Sequence, residues 1–240
     1  MICMFIVTDT FRDLPFIQHA ECGYLHNNPA LKFCRVHFAR THLQDTLFNQ
    51  YAVPFPSALA GAVVKRKAEY LAGRYCAHYL LRQAGCLEPV LNAADRAPVW
   101  PAGWRGSVSH SEDIAIAVVI AEADGLYPGV DIEHLQPGIM LESADMFVSK
   151  TEQTLLSCCG LDMEWALLLA FSAKESLFKA LYPRVQQMFD FDAAAIDALD
   201  PVNQRFTLRL NKTLSDAFAA GSPFSGEYHF SEGTVLTCLC

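Results

Sequence analysis

The sequence predicts an α+β protein of two pseudo-symmetric lobes, each a small antiparallel sheet packed with one long helix. Two long helical segments, one in each half, are flanked by stretches that alternate apolar and polar residues as strands do. Those stretches come as hairpin-like pairs, without the βαβ regularity that calls for a parallel sheet. The chain of 240 residues is 52% apolar and 18% charged, enough to bury a sizeable core and too apolar for a disordered or fibrous protein. A turn-rich stretch at Glu122–Tyr127 separates the halves, giving expected domains 1–124 and 125–240.

In the first fifty residues, β-like runs at Ile2–Val7 and Phe33–Phe38 are separated by loop signals such as HNNP. After VPFP a helix is expected from about Ser57 to Ala84, with Ala68, Leu71, Ala72, Tyr75 and Tyr79 as its apolar stripe and Gly85 closing it. Arg66 and Arg74 lie eight residues apart on that helix, about 80° apart around its axis, so they can share one side. The loop RAPVWPAGWRG leads into SVSHSEDIAIAVVIA, which reads as strand, polar turn and strand. YPGVDIEHL follows a turn at Asp124–Gly125 as a short strand. A helix is expected over Ser149–Cys159, with Ser149 as cap and Glu152 completing a capping box. The second long helix spans Met163–Tyr182, with Pro183 as its stop. The tail, QRFTLRLN…GEYHF…GTVLTCLC, alternates like two or three antiparallel strands.

A formal net charge of −8 argues against general nucleic-acid binding, which needs a basic face. Positive charge is instead local: Lys65–Lys67 with Arg74 and Arg82, then Lys174 with Lys179. Such groups suit a small anionic ligand, or a solvated helix face. The longest strongly apolar run, Ile114–Ala121, is too short to span a bilayer, and MICMFIVTDTFRDL has neither a basic leader nor a long apolar core. A cytoplasmic protein is expected. The nine cysteines form no C-x-x-C pair and the eight histidines supply no zinc spacing, so reduced, mostly buried thiols are expected.

Three motifs carry chemistry. In GVDIE, Asp131 and Glu133 are two residues apart on a strand, so both carboxylates face one side and repel unless solvated or bridged by a cation. Alone, the pair fits an exposed acidic strand end as well as a Mg²⁺ site. SVSHS puts Ser109 and His110 where a strand meets a turn, either a capped turn or an anion cradle. AFSAKESLFKALYP sets Lys174, Glu175 and Lys179 among apolar residues, where uncompensated charge is costly. Glu175 and Lys179 suit a surface i, i+4 pair, but a cation held by the carboxylates with lysines on a phosphate would also compensate them.

GVDIE, followed after about forty residues by FSAKESLFKA and preceded by SVSHS, resembles the paired signature of 4'-phosphopantetheinyl transferases. RKAEYLAGR, RAPVWPAGWRGSVSH and LLLAFSAKESLFKAL extend the resemblance, which covers about Lys65 to Leu181 and is closest to the enterobactin synthetase component D branch, with Sfp-type enzymes more distant. Phe171 stands where many Sfp-type members have Trp; an aromatic packing role survives that change. The resemblance implies transfer of 4'-phosphopantetheine from coenzyme A to a serine of an apo peptidyl, aryl or acyl carrier protein, releasing adenosine 3',5'-bisphosphate. It implies Mg²⁺, with Mn²⁺ as substitute, on Asp131, Glu133 and Glu175. Glu175 is the expected base, Lys174 and Lys179 the phosphate contacts, and Lys179 the transition-state stabiliser. Ser109 and His110 are expected on the nucleotide, His110 at its 3'-phosphate, with Arg66, Arg74 and Arg96 completing the coenzyme A site. A monomer in a siderophore, nonribosomal peptide or polyketide pathway is expected. The competing classes are a non-catalytic coenzyme A or carrier-binding module and a Mg²⁺-dependent pyrophosphate hydrolase.

Overall fold

The computed structural model describes residues 4–240, so Ile2 and Cys3 of the first expected strand lie outside the described residues. The chain is a mixture of helices and antiparallel sheets, and it divides into two compact units, the first ending at Pro128 and the second starting at Gly129.

In the first unit, β1 (Phe5–Asp13), β2 (Ile17–Leu25) and β3 (Asn28–Phe38) follow one another as antiparallel neighbours. A short helix, α1 (Thr46–Gln50), precedes the long α2 (Val64–Gln83). A two-stranded ribbon of β4 (Leu91–Asn92) and β5 (Pro98–Val99) then leads to the hairpin of β6 (Trp104–Ser111) and β7 (Ile114–Ala121). The five-stranded sheet has the order β1-β2-β3-β7-β6. β7 lies between two strands, and its unbroken apolar run is buried up to Ala121 at its end, as expected of a strand covered on both faces. α2 packs on β3, β6 and β7. Gly73 permits the close approach: a Cβ there would meet Val108 Cγ1 at 2.7 Å.

The second unit starts with β8 (Gly129–His134) and continues through α3 (Ile139–Ser143), α4 (Lys150–Ser157) and the long α5 (Met163–Val185). It ends with β9 (Ala194–Asp200), β10 (Arg205–Leu210), β11 (Pro223–Ser231) and β12 (Thr234–Leu239), in the sheet order β8-β12-β11-β10-β9. α5 covers β8 and β12 through Leu169, Ala173, Leu177 and Ala180, all buried.

Several expectations need correction. The first long helix starts at Val64, not Ser57; Ser57–Leu59 is a separate 3₁₀ turn, because Gly61 and two consecutive valines lower helix propensity between them. Its end is as expected: Gly85 at φ +84 leaves the helix, and Cys86 N donates to Leu81 O at 2.9 Å. Pro183 does not stop α5. Proline's φ is itself helical, so the chain keeps turning to Val185 and closes at Gln186 at φ +51. β2 and β9 went unforeseen because IQHAECGYL and AAIDALD lack clean alternation. Among the described residues no cysteine is in a disulfide; Cys22, Cys34, Cys76 and Cys238 are buried.

Candidate functional site

Each unit holds a cluster of the charged side chains that the motifs single out. In the first, α2, β6 and the β4–β5 ribbon enclose a cavity of about 370 Å³ lined by Arg66, Glu69, Tyr70, Arg74, Asn92, Arg96 and His110. The predicted trio of arginines and His110 is thus brought together. Arg74 is buried; its Nη2 donates to Asn92 Oδ1 at 2.6 Å, its guanidinium carbon lies 5.1 Å from the Tyr70 ring centre, and its Nε has no hydrogen-bond partner. No carboxylate of a described residue pairs with it, and burial pulls its pKa down. Arg96 reaches the cavity from the ribbon's turn, where its own φ is +74.

Arg66 Nη1 lies 2.9 Å from His110 Nε2. A guanidinium only donates, so His110 Nε2 accepts and its ring proton sits on Nδ1, which faces Glu69 Oε2 at 3.7 Å. Glu69 also stands 3.9 Å from Lys65 and from Arg66. Burial raises its pKa, and Lys65, Arg66 and Arg40 oppose the rise. Sequence reasoning missed Glu69. The available signal was a carboxylate wedged between Ala68 and Leu71 on the helix's buried side. Ser109 does not join this cavity. Alternation along β6 aims Val108 and His110 at α2 and turns the buried Ser109 to the opposite face.

In the second unit, Gly129 lets β8 lie directly on α5: a Cβ there would stand 1.9 Å from Ser176 O. Asp131, two residues on, projects to the same face. Its register partner on β12, Thr237, is buried there too; its Oγ1 donates to Ser172 O at 3.0 Å and pins the strand to α5. Asp131 Oδ1 accepts from Lys179 Nζ at 2.5 Å. Glu175, one turn before Lys179, has its pKa raised by burial, with Lys179 lowering it and Asp131 raising it further. Glu133 shares the face of Asp131 by strand alternation. Among the described residues no three acidic, histidine or cysteine side chains converge closely enough to form a metal cage. The oxygen donors still suit a hard cation, which commonly takes one or two protein carboxylates with water and phosphate. The Lys179 ammonium supplies the positive charge on Asp131 in this structure.

Lys174 is placed elsewhere than expected. It is buried, with Nζ 2.8 Å from Glu152 Oε1, 2.8 Å from Phe147 O and 3.1 Å from Phe191 O. All three ammonium protons therefore have internal acceptors, which leaves none for a phosphate in this arrangement. Glu152 is satisfied too: it completes the capping box with Ser149 and accepts from Ile196 N at 2.9 Å.

Residues 55–120 match the model of the 4'-phosphopantetheinyl transferase N-terminal domain, and residues 127–233 match that of the 4'-phosphopantetheinyl transferase superfamily. Enterobactin synthase component D of Escherichia coli O157:H7 is 40% identical over 174 residues, covering 71% of this chain and 75% of that protein. The 4'-phosphopantetheinyl transferase Svp of Streptomyces mobaraensis is 35% identical over 191 residues, 75% of this chain and 74% of its own length. The 4'-phosphopantetheinyl transferase PptT of Mycobacterium tuberculosis is 27% identical over 189 residues, 75% and 82% of the two chains.

Proposed function

The chain belongs to the 4'-phosphopantetheinyl transferase superfamily and is a phosphopantetheinyl transferase, and from that premise we propose how its residues divide the reaction. The first unit binds the nucleotide end of coenzyme A and the second carries out the transfer. We read the two units as pseudo-duplicates, since each lays one long helix on a five-stranded antiparallel sheet.

Arg74 carries the nucleotide assignment. A buried guanidinium with no carboxylate partner and an unbonded Nε is costly unless the cavity receives an anion. Arg66, Arg96 and His110 line the same cavity, so a phosphorylated nucleotide suits it, with His110 and Arg66 at the 3'-phosphate.

In the transfer, the carrier serine oxygen attacks the β-phosphorus. One P–O bond forms, the bond to the bridging pyrophosphate oxygen breaks, and adenosine 3',5'-bisphosphate leaves with that oxygen. Glu175 takes the serine proton, directly or through water. Asp131 and Glu175, with Glu133 on the same strand face, would hold Mg²⁺, which supplies charge neutralisation on the pyrophosphate. Lys179, whose Nζ lies on Asp131 Oδ1, would supply positive charge to the phosphate oxygens in the transition state.

Similarity to enterobactin synthase component D supports a role in a siderophore or other nonribosomal peptide or polyketide pathway, with peptidyl, aryl or acyl carriers as acceptors. No helix among the described residues is long and apolar enough to cross a membrane, and we read the protein as a cytoplasmic monomer. The test is mass spectrometry of an apo carrier protein after incubation with coenzyme A, Mg²⁺ and the enzyme. Phosphopantetheine on the carrier serine is expected. Coenzyme A cleaved without carrier loading, or no change, would overturn the proposal.

A further inference from the structure

Glu69 has no role in the scheme above, yet it is the buried carboxylate among the cavity's cations. Lys65 and Arg66 approach it from its own helix, Arg40 from the turn after β3, and His110 from β6. Glu112, on the β6–β7 turn, is the second carboxylate nearby, and it is drawn outward to Arg40 at 3.2 Å and Lys65 at 3.4 Å. Glu69 approaches its cations only to 3.7–3.9 Å, beyond hydrogen-bond distance, and accepts no side-chain hydrogen bond from a described residue. It therefore does not hold Arg66 and His110 by directed bonds. It acts on them through charge.

We propose that Glu69 is an internal competitor for the phosphate subsite, neutralising Arg66 and facing His110 until a phosphate draws them away. This rests on the reading that the cavity takes the nucleotide end of coenzyme A. A ligand phosphate must displace the carboxylate's attraction and then lie beside it, so Glu69 weakens binding of every ligand carrying that phosphate. The product, adenosine 3',5'-bisphosphate, keeps the 3'-phosphate of coenzyme A. Glu69 thus loosens substrate and product alike, and its benefit is product release rather than substrate capture.

The experiment compares wild type with Glu69→Gln, using coenzyme A and 3'-dephospho-coenzyme A as substrates and adenosine 3',5'-bisphosphate as inhibitor. A wild-type preference for the 3'-phosphorylated substrate tests the cavity assignment itself; no preference defeats that assignment whatever Glu69 does. Given the preference, Glu69→Gln should lower KM for coenzyme A and the inhibition constant of the bisphosphate about fivefold each, the scale of one partly screened ion pair. KM for the dephospho substrate should move less, and kcat should not rise. A higher KM for coenzyme A, with the preference lost, would show that Glu69 only holds the cations in place and would overturn the proposal. An unchanged KM would do the same. Should Glu69→Gln not fold, Glu69→Asp, which draws the carboxylate back by one methylene, carries the same expectation at smaller size.

Discussion

As ligands of one cation, Asp131 and Glu175 would repel each other in its absence, and on that ground alone removing either should leave the metal-free protein no less stable. The structure separates them. Asp131 is buried and holds Lys179, so Asp131→Ala removes the ammonium's hydrogen-bonded counter-charge and leaves it only the charge of Glu175. Glu175 is raised above its usual pKa chiefly by burial, so its ionised form is less favoured folded than unfolded. The folded state then holds the proton more tightly. Stability from this group is present below the unfolded pKa and is lost as pH rises through the higher folded one. At neutral pH, in chelator, Glu175→Gln should therefore raise the melting temperature, and the gain should shrink as pH falls toward the carboxylate range. Asp131→Ala should lower it. Both should nearly abolish transfer. Melting curves at several pH values beside transfer rates check this; equal shifts for both variants would show that Lys179 does not distinguish the two carboxylates.

At the scale of elements, Lys174 and Glu152 join α4, α5 and the start of β9 through one buried, fully bonded pair. Breaking such a pair from one side leaves a buried charge uncompensated. Lys174→Met should cost about 3–5 kcal/mol in denaturant unfolding, and adding Glu152→Gln should recover part of that loss. A loss below about 1 kcal/mol would mean that the ammonium is not structural. This pair also shows where sequence reading stops. The capping box of Ser149 and Glu152 was legible because its bonds are local, and so were the SVSHS hairpin, Gly85 and the GVDIE strand. The second duty of Glu152 depends on where α5 passes, and no local spacing encodes that. Lys174 consequently read as a phosphate ligand. Ser109 is different: strand alternation alone sets it opposite His110, although the motif groups the two. The meeting of Arg66, Arg74 and Arg96 was half legible: helix spacing relates the first two, but only the fold of the β4–β5 ribbon delivers the third.

At the scale of the whole molecule, a net charge of −8 coexists with a cavity lined by three arginines and a histidine. The far field of the protein thus repels anions while its near field attracts them. On the proposed assignment the 3'-phosphate of coenzyme A meets Arg66 and His110, which are partly exposed and open to screening by salt. The Debye length shortens from about 10 Å at 0.1 M salt to about 3 Å at 1 M. Carrier proteins are commonly acidic, so the far field does not favour their docking. The second unit instead exposes the apolar side chains of Ile139, Leu141 and Met146 shortly after Asp131, and we expect the carrier to meet some of them. Salt should leave that contact unchanged or strengthen it by screening the repulsion between two acidic partners. Between 0.05 and about 0.5 M salt, KM for coenzyme A should therefore rise several-fold while KM for the carrier stays level or falls. Ile139→Asp with Met146→Asp should raise KM for the carrier and leave KM for coenzyme A where it was. A steep loss of carrier affinity with salt, beside a flat response for coenzyme A, would reverse the assignment of charge to the nucleotide and apolar surface to the acceptor.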